Sequence, residues 1–371
     1  MKICSRLLCI LGFFASSAAI AAPDLSPSTT PPAGLKEIPF SIGGRVVKAE
    51  ADNGTAFRYQ WPGVYFEAGF SGPAVYFKVG PGKVIFHVSV DDKPLPPLIK
   101  PAPGYYVVNG LGSGDHALRI EAATESQAAP NEFGGIFVSQ DAGARALPKR
   151  GRAVEFVGDS HTVGYGNISA TKDCTTDVVW ATTDNTQAFG PILARHYGAD
   201  YRINAISGRG VVRNYDGFAG DLLPQAYPYA LLDRSVTAPD STWRPDVVVI
   251  ALGTNDFSTP LKASEKWKTR EELHKDYENT YVDFVHSLRQ KYPQAYFILW
   301  ATELSNGEIE SEVRKVVDEL KSSGERNVQF VPMTGLSMSG CHYHPSAADD
   351  TTIAERLIKV IDATPGIWPA M

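Results

Sequence analysis

The hydrophobic pattern of the 371-residue chain changes near residue 150, and this change limits the possible fold more than any other feature. Between residues 38 and 138, short apolar runs are separated by glycine and proline, and no stretch has a convincing helical period. Eight segments in this part predict the strands of an antiparallel β-sandwich: GRVVKAE, TAFRYQW, VYFEAGF, AVYFKVG, KVIFHVSV, GYYVV, HALRIEA and GGIFVSQ.

After residue 150, strand-like runs alternate with helical segments. Five apolar runs predict the strands of a parallel sheet: AVEFV, YRINAI, DVVVIAL, AYFILWA and VQFVP. The main helices are expected at about residues 187–196, 270–289, 309–320 and 349–361. This alternation is typical of a parallel sheet covered by helices on both faces. The sequence therefore predicts a β-sandwich at residues 37–140, a linker at 141–151 and an α/β domain with a five-stranded parallel sheet at 152–371.

The amino terminus has the pattern of a secretory signal peptide. In residues 1–21, two positive charges precede an apolar run and a small-residue Ala-Ile-Ala site, so cleavage is expected after Ala21 or Ala22. The Pro/Ser/Thr-rich residues 22–36 then predict a flexible lead. Loss of Lys2 and Arg6 changes the formal net charge from −6 to −8. An acidic surface argues against nucleic acid or a membrane surface as a partner.

The four cysteines fall into two groups. Cys4 and Cys9 would leave with the signal peptide, and Cys174 and Cys341 would remain. Because an exported protein enters an oxidising compartment, the remaining pair is predicted to form one disulfide. A metal site would need more ligands close together, so none is expected.

Four polar segments follow predicted strands of the parallel sheet. GDS comes after the first strand, SGRG after the second, LGTND after the third and CHYHPS after the fifth. In an open parallel sheet, ligands bind in the crevice beyond the carboxyl ends of the strands. We therefore expect all four segments at one edge of the sheet.

These segments together offer the parts of an acyl-transfer site. Ser160 supplies a hydroxyl nucleophile, and His344 supplies an imidazole suited to general-base catalysis near neutral pH. The backbone N–H groups of Ser160 and Gly208 and the amide of Asn255 would be three donors for a developing oxyanion. Taken singly, Ser160 is equally a helix cap, and Gly208 and Asn255 are equally turn residues. Their occurrence together favours the catalytic interpretation, with Asp256 supporting a loop.

The four segments resemble the signatures of the SGNH (GDSL-like) hydrolases. The matching residues are Ser160 in FVGDS, Gly208 in NAISGRG, Asn255 in LGTND and His344 in HYHPS. The chain also resembles carbohydrate esterase family 2, in which a jelly-roll β-sandwich precedes an SGNH domain. FRYQWPGVYFEAGFSG and GDHALRIEAATES look like its sandwich segments, and TTDNTQAFGPILAR, GTNDFS and GCHYHPS look like its catalytic segments.

The resemblance implies an exported enzyme, secreted or periplasmic, that removes acetyl groups from plant cell-wall polysaccharides. Its substrate would be an acetylated oligo- or polysaccharide of glucomannan or xylan type, with a leaning towards the sugar 6-position, and no cofactor would be needed. The enzyme class would be a carboxylic ester hydrolase. Two other interpretations stay open at this point: an SGNH lipase or thioesterase that acts on longer acyl esters, and an inactive carbohydrate-binding protein.

One position departs from the common SGNH pattern. Many SGNH enzymes carry an aspartate three residues before the histidine, where this chain has Cys341. We therefore expect a Ser160–His344 dyad, in which a nearby backbone carbonyl or a polar group from elsewhere accepts the hydrogen of the other imidazole nitrogen. Because a neutral acceptor stabilises imidazolium less than a carboxylate does, the pKa of His344 should not be strongly raised.

Three further side chains are possible substrate contacts. Trp180 and Trp300 could each present a flat face to a sugar ring, and His161 could line the cleft. Packing in a core or a loop is the ordinary role of such side chains.

Overall fold

The structure is a computed structural model that describes residues 22–28, 34–51, 54–238 and 242–368. The predicted signal peptide at residues 1–21 lies outside the described residues. Among the helices in the described part of the chain, none is both long and apolar enough to cross a membrane.

The amino-terminal part consists of two antiparallel sheets. Its strands are β1 (Asp24–Ser28), β2 (Leu35–Glu37), β3 (Ser41–Gly43), β4 (Val47–Ala51), β5 (Gly54–Tyr59), β6 (Tyr65–Ser71), β7 (Val75–Val79), β8 (Ile85–Val90), β9 (Lys93–Pro94), β10 (Leu98–Ile99), β11 (Gly104–Asn109), β12 (Asp115–Ala122), β13 (Asn131–Ser139) and β14 (Gly143–Arg145). The first sheet has the order β1-β11-β7-β13-β5-β4, with β2 on β13. The second has the order β10-β8-β12-β6-β14, with β3 on β6 and β9 on β8.

The two sheets pack face to face around one apolar core. Along β7, Val75, Phe77 and Val79 are buried, whereas the alternate residues are more exposed. This period of two places every second side chain between the sheets. At the centre of the core, the ring of Phe66 stacks on that of Phe133 with 3.9 Å between the ring centroids. The predicted antiparallel β-sandwich is confirmed.

Both flanks of the sandwich differ from the prediction. The lead at residues 22–36 is not a flexible segment throughout, because β1 pairs antiparallel with β11 along its whole length and β2 pairs with β13. The linker at 141–151 likewise contains β14, which pairs with β6. A polar segment gains backbone hydrogen bonds when it is added to an open strand edge, and its composition does not reveal this.

The carboxyl-terminal part is an α/β domain around a parallel sheet of order β16-β15-β17-β18-β19. Its strands are β15 (Ala153–Gly158), β16 (Asp200–Ala205), β17 (Val247–Ala251), β18 (Tyr296–Thr302) and β19 (Val328–Met333). Its helices are α1 (Ser160–Val163), α2 (Thr176–Thr182), α3 (Phe189–His196), α4 (Leu223–Ala226), α5 (Thr254–Phe257), α6 (Arg270–Lys291), α7 (Glu308–Ser322) and α8 (Ala347–Asp362). The five predicted strands and the four predicted helices are confirmed, and the short helices α1, α2, α4 and α5 were not predicted.

Helices cover both faces of this sheet. The apolar faces of α6 and α7 pack on one side, where Ile250 and Leu299 point. Helices α3 and α8 pack on the other side, against Phe156 and Ile298. Ser346 starts α8 with a capping box, in which its hydroxyl accepts the N–H of Asp349 and the Asp349 carboxylate accepts the N–H of Ser346.

The sandwich packs directly on the α/β domain. Trp61 is buried within the core beside α6, and its Nε1 donates to the carbonyl of Tyr229 at 3.2 Å. The guanidinium of Arg45 lies over the Trp61 ring and also donates to Tyr229. Near the amino ends of the strands, the hydroxyl of Tyr65 donates to Asp200 at 2.9 Å. These contacts fix the position of the sandwich on the α/β domain.

Candidate active site

Ser160 and His344 lie side by side although 184 residues separate them in the chain. Ser160 follows β15 as the first residue of α1, and His344 stands between a short 3-10 turn and α8. The His344 Nε2 atom is 2.8 Å from Ser160 Oγ, and its Nδ1 is 2.9 Å from the carbonyl oxygen of Cys341. Because a carbonyl can only accept, Nδ1 carries the hydrogen and Nε2 faces the serine with its lone pair.

The register of the parallel sheet brings three of the predicted segments together. Gly158 of β15 pairs with Ala205 of β16 and with Ala251 of β17. Ser160 lies two positions after Gly158, Gly208 lies three positions after Ala205, and Asn255 lies four positions after Ala251. Parallel strands end at the same edge of the sheet, which explains why residues so distant in sequence share one site.

The Gly208 loop, which we define as residues 206–213, has an almost complete set of backbone hydrogen bonds. Within the described residues, each N–H of the loop except that of Gly208 has an acceptor. Gly208 has φ +83°, a conformation that favours glycine, and a Cβ there would lie 3.2 Å from the ring of Phe218. The loop thus holds one backbone donor available for a ligand.

Asp256 fixes the second half of this loop, whereas the sequence suggested only that it supports the loop in which it stands with Asn255. Its carboxylate accepts the backbone N–H groups of Val211, Val212 and Arg213 at 2.8–3.0 Å. Burial raises the pKa of Asp256 to about 6, and the three N–H bonds oppose this rise. Asp256 is therefore a structural anchor beside Asn255.

The side-chain amide of Asn255 lies between the Gly208 loop and the start of α1. Its Nδ2 donates to the carbonyl of Arg209 at 2.9 Å and to Asp159 Oδ2 at 3.1 Å. The other oxygen of Asp159 accepts the N–H of His161 at 3.0 Å and so caps α1. Burial, assisted by the charge of Asp256, raises the pKa of Asp159 to about 7.

Burial also governs the two histidines of the site. It lowers the pKa of His344 to about 4, against the opposing effect of the Cys341 carbonyl. It lowers the pKa of His161 to about 3, with a further contribution from His344. Both imidazoles are therefore neutral near pH 7. The pKa of His344 is not raised, in agreement with a neutral acceptor on Nδ1.

Among the described residues, no carboxylate is hydrogen-bonded to His344. The Asp349 carboxylate instead accepts hydrogen bonds from Ser337, Met338 and Ser346. Asp350 accepts them from Asn167 and Phe189. In the same part of the chain, no group of three or more His, Cys, Asp or Glu side chains is arranged to hold a metal ion.

A disulfide joins Cys174 to Cys341, with 5.5 Å between the Cα atoms. It connects the segment that follows α1 to the turn whose carbonyl contacts His344. Gly166 packs closely on this bridge, because a Cβ at Gly166 would lie 2.4 Å from the Cβ of Cys341. His342 adds a second link through its Nε2, which is 2.8 Å from the Cys174 carbonyl.

The three predicted substrate contacts have different surroundings. The prediction for Trp300 is wrong: its ring is 2 % exposed and packs in the core among residues of α3 and α8. His161 does not line an open cleft either, because it is 3 % exposed and lies against the rings of Trp300 and His344. Trp180 is partly exposed on α2, with Lys100 Nζ 4.3 Å above its ring. A sugar contact at Trp180 stays a prediction.

Four other aromatic residues around the site were missed. The ring of Tyr165 lies 4.3 Å from that of His344, and its hydroxyl is 3.1 Å from Nδ1 of His342. Tyr343, Tyr215 and Phe218 are 65 %, 52 % and 42 % exposed. All four stand within ten residues of a predicted site residue, and an aromatic side chain beside a polar motif was the signal that could have identified them.

Comparison with known proteins agrees with both domains. Residues 42–148 match the family model described as the carbohydrate esterase 2 N-terminal domain, and residues 156–357 match that of the GDSL-like lipase/acylhydrolase family. An acetylxylan esterase / glucomannan deacetylase of Cellvibrio japonicus is 45 % identical over 90 % of this chain and 93 % of its own length. The cellulase/esterase CelE of Acetivibrio thermocellus is 33 % identical over 81 % of this chain and 37 % of its own length.

Two solved structures of carbohydrate esterases are similar to this chain over most of its length. A carbohydrate esterase described as having divergent catalytic and non-catalytic binding functions in its active site is 44 % identical, with a TM-score of 0.82 over 90 % of this chain and all of the other. A family two carbohydrate esterase from Clostridium thermocellum, solved with cellohexaose, is 30 % identical, with a TM-score of 0.79 over 89 % of this chain and all of the other. The chain, with its jelly-roll sandwich and its GDSL-like domain, therefore belongs to family 2 of the carbohydrate esterases.

Proposed function

We propose that this protein is an exported acetyl esterase that removes O-acetyl groups from plant cell-wall polysaccharides of the glucomannan or xylan type, at the sugar 6-position. Ser160 and His344 are its catalytic residues. The observation that carries the proposal is the contact of Ser160 Oγ with His344 Nε2 at 2.8 Å, with Nδ1 held by a backbone carbonyl. The similar esterase and deacetylase of Cellvibrio japonicus supports the substrate class.

The first half of the reaction transfers the acetyl group to the enzyme. Ser160 Oγ attacks the acetyl carbonyl carbon while His344 Nε2 takes the hydroxyl proton, and the carbonyl electron pair moves to the oxygen. The oxyanion then expels the sugar oxygen, which takes the proton from His344. The Cys341 carbonyl keeps the hydrogen on Nδ1, so that Nε2 is always the atom that exchanges the proton.

Three donors stabilise the oxyanion: the N–H groups of Ser160 and Gly208 and the Asn255 amide. In the free enzyme both hydrogens of Asn255 Nδ2 are engaged, by the Arg209 carbonyl and by Asp159 Oδ2. Rotation of the whole amide therefore exchanges the Asp159 bond for the bond to the oxyanion. In the second half-reaction, water loses a proton to His344 and attacks the acetyl-enzyme. Acetate leaves as Ser160 regains its proton.

The surroundings of the site favour a carbohydrate substrate. Exposed aromatic rings stand beside the predicted site residues at Tyr343, Tyr215 and Phe218. Lys172 covers one face of the Tyr343 ring and Arg209 one face of the Phe218 ring, which leaves one face of each for a sugar ring. A cleft of about 840 Å³ between the two domains includes Asp200 and Arg202, at the opposite edge of the sheet from Ser160, and is therefore no acyl tunnel. An inactive binding protein would have no need of the aligned Ser160–His344 pair.

An assay with esters of increasing acyl length tests the substrate class. We expect kcat/KM to fall by about tenfold or more from acetyl to longer acyl esters of one alcohol, because each added methylene must fit a site shaped for acetyl. Release of acetate from acetylated glucomannan and xylan is measured in parallel. A preference for octanoyl over acetyl esters would support a lipase instead.

The pH dependence of the free enzyme provides a second test. The general base must be neutral, and burial lowers the pKa of His344 to about 4. We therefore expect the loss of kcat/KM that is caused by protonation of His344 to have its midpoint near pH 4, with no loss from this histidine between pH 7 and pH 5. The profile is measured over the range in which circular dichroism shows an intact fold. A midpoint at the ordinary histidine pKa of about 6.5 would contradict this description of the site.

A further inference from the structure

We infer that the β-sandwich takes part in catalysis, because Glu125 and Gln127 in the loop between β12 and β13 position the N–H of Gly208. These two side chains lie at the carboxyl end of β16, whereas the rest of the site comes from the α/β domain. The inference rests on the proposed function, in which Gly208 is an oxyanion donor.

The side chains of Glu125 and Gln127 bind both backbone polar groups of Ser207. Glu125 Oε2 accepts the N–H of Ser207 at 3.0 Å, and Gln127 Nε2 donates to the carbonyl of Ser207 at 3.1 Å. Gln127 Nε2 also lies 3.3 Å from Glu125 Oε1, so the two side chains support each other. Ser207 is the residue directly before Gly208.

The geometry of the peptide bond transmits this constraint. The carbonyl of Ser207 and the N–H of Gly208 belong to the same planar unit, and in a trans peptide they point in opposite directions. A bond from Gln127 to the carbonyl therefore fixes the direction of the N–H. The neighbouring peptide is fixed separately, because the Gly208 carbonyl accepts the N–H of Tyr215 at 2.9 Å.

Apart from Glu125 and Gln127, few contacts constrain the peptide unit between Ser207 and Gly208. Gly208 has φ +83° and lacks a side chain, so rotation of the preceding peptide plane meets little steric resistance. Asp256 holds only residues 211–213. Within the described residues, the one hydrogen bond to the Ser207 carbonyl comes from Gln127.

The loop that carries the pair is itself anchored. Gln60 Nε2 donates to the carbonyl of Ser126 at 3.1 Å, and Gln60 Oε1 accepts the N–H of Leu232 in the α/β domain at 2.9 Å. The carbonyl of Ala123 accepts the N–H of Asn185 at 2.8 Å. A preorganised donor of this kind needs no rearrangement as the oxyanion forms.

The test measures kcat and KM separately for the full-length protein with an acetyl ester. Loss of one oxyanion donor costs about 10²- to 10³-fold in kcat. We expect Glu125→Ala and Gln127→Ala to lower kcat by about 10- to 100-fold with KM little changed, since the donor is misplaced and not removed. Glu125→Gln should recover part of kcat, because its amide oxygen still accepts the Ser207 N–H, although its NH2 group no longer accepts from Gln127 Nε2.

Tyr65→Phe is the matched control. It removes the hydrogen bond to Asp200 between the same two domains, at the opposite edge of the sheet. It should lower the thermal stability about as much as the alanine variants do, with kcat unchanged.

Wild-type kcat in folded Glu125→Ala and Gln127→Ala would overturn the inference. A rise in KM alone would do so as well, because it would make the pair a substrate contact, and so would an equal loss of kcat in Tyr65→Phe. A wild-type protein without esterase activity would instead contradict the proposed function itself.

Discussion

Replacement of Ser160 by alanine is expected to lower kcat/KM for acetyl esters by about 10⁴-fold or more. The hydroxyl is the group that would form the acyl-enzyme, and no other serine in the described residues contacts His344 Nε2. The fold should persist, because the change removes one oxygen atom from a residue that is 5 % exposed and leaves the cap of α1 at Asp159 intact.

The measurement is acetate release at matched protein concentration, with circular dichroism to verify the fold. Ser322→Ala is the matched control, since Ser322 is an exposed serine at the end of α7. His344→Ala should cause a loss of similar size, and the double variant should be little worse than either single one, because the two residues act as a unit. Undiminished turnover in a well-folded Ser160→Ala protein would exclude Ser160 as the nucleophile.

Most of the fold could be predicted because burial determines the pattern. A parallel strand that is covered on both faces is mainly apolar, and the run DVVVIAL shows this directly for β17. The strands β1 and β14 were missed for the opposite reason. They are largely polar segments on sheet edges, and the backbone hydrogen bonds of their pairing with β11 and β6 are not visible in their composition.

Ser160, Gly208, Asn255 and His344 could be located from sequence because each follows a strand of the same sheet. The prediction of Trp300 as a sugar contact was wrong for a physical reason that could have been recognised in the sequence. Trp300 lies inside the run AYFILWA, and side chains in a strand covered on both faces point into one of two cores. A tryptophan at that position is therefore core, whatever its value as a sugar contact elsewhere.

Glu125 and Gln127 could not be predicted from sequence. They stand in a polar loop of the sandwich, about 80 residues before the Gly208 loop that they contact. Only the docking of the two domains creates that contact, and local pattern contains no information about docking. The same holds for the Cys341 carbonyl, since the sequence indicated that a neutral acceptor was needed but left open which group supplies it.

Among the substitutions proposed for this protein, removal of the Cys174–Cys341 disulfide is expected to lower the free energy of unfolding most. The bridge closes a segment with a sequence separation of 167 residues. On the chain-entropy model, such a crosslink contributes up to about 5 kcal/mol to the free energy of unfolding. Cys174→Ser is the suitable variant because Cys174 is partly exposed, whereas Cys341 is fully buried and its replacement would also disturb packing.

The effect of Cys174→Ser on activity should be much smaller than its effect on stability. The carbonyl of Cys341 remains in the variant, and the turn that carries it keeps the bonds from Cys341 N–H to the Gly166 carbonyl and from His342 N–H to the Lys172 carbonyl. His344 should therefore retain its acceptor, and kcat should fall by less than about tenfold. Denaturant unfolding with and without reductant measures the stability, and the reduced wild type serves as the matched comparison. If the unreduced wild type contains two free thiols, or if reductant leaves its unfolding midpoint unchanged, the bridge does not stabilise the protein in solution.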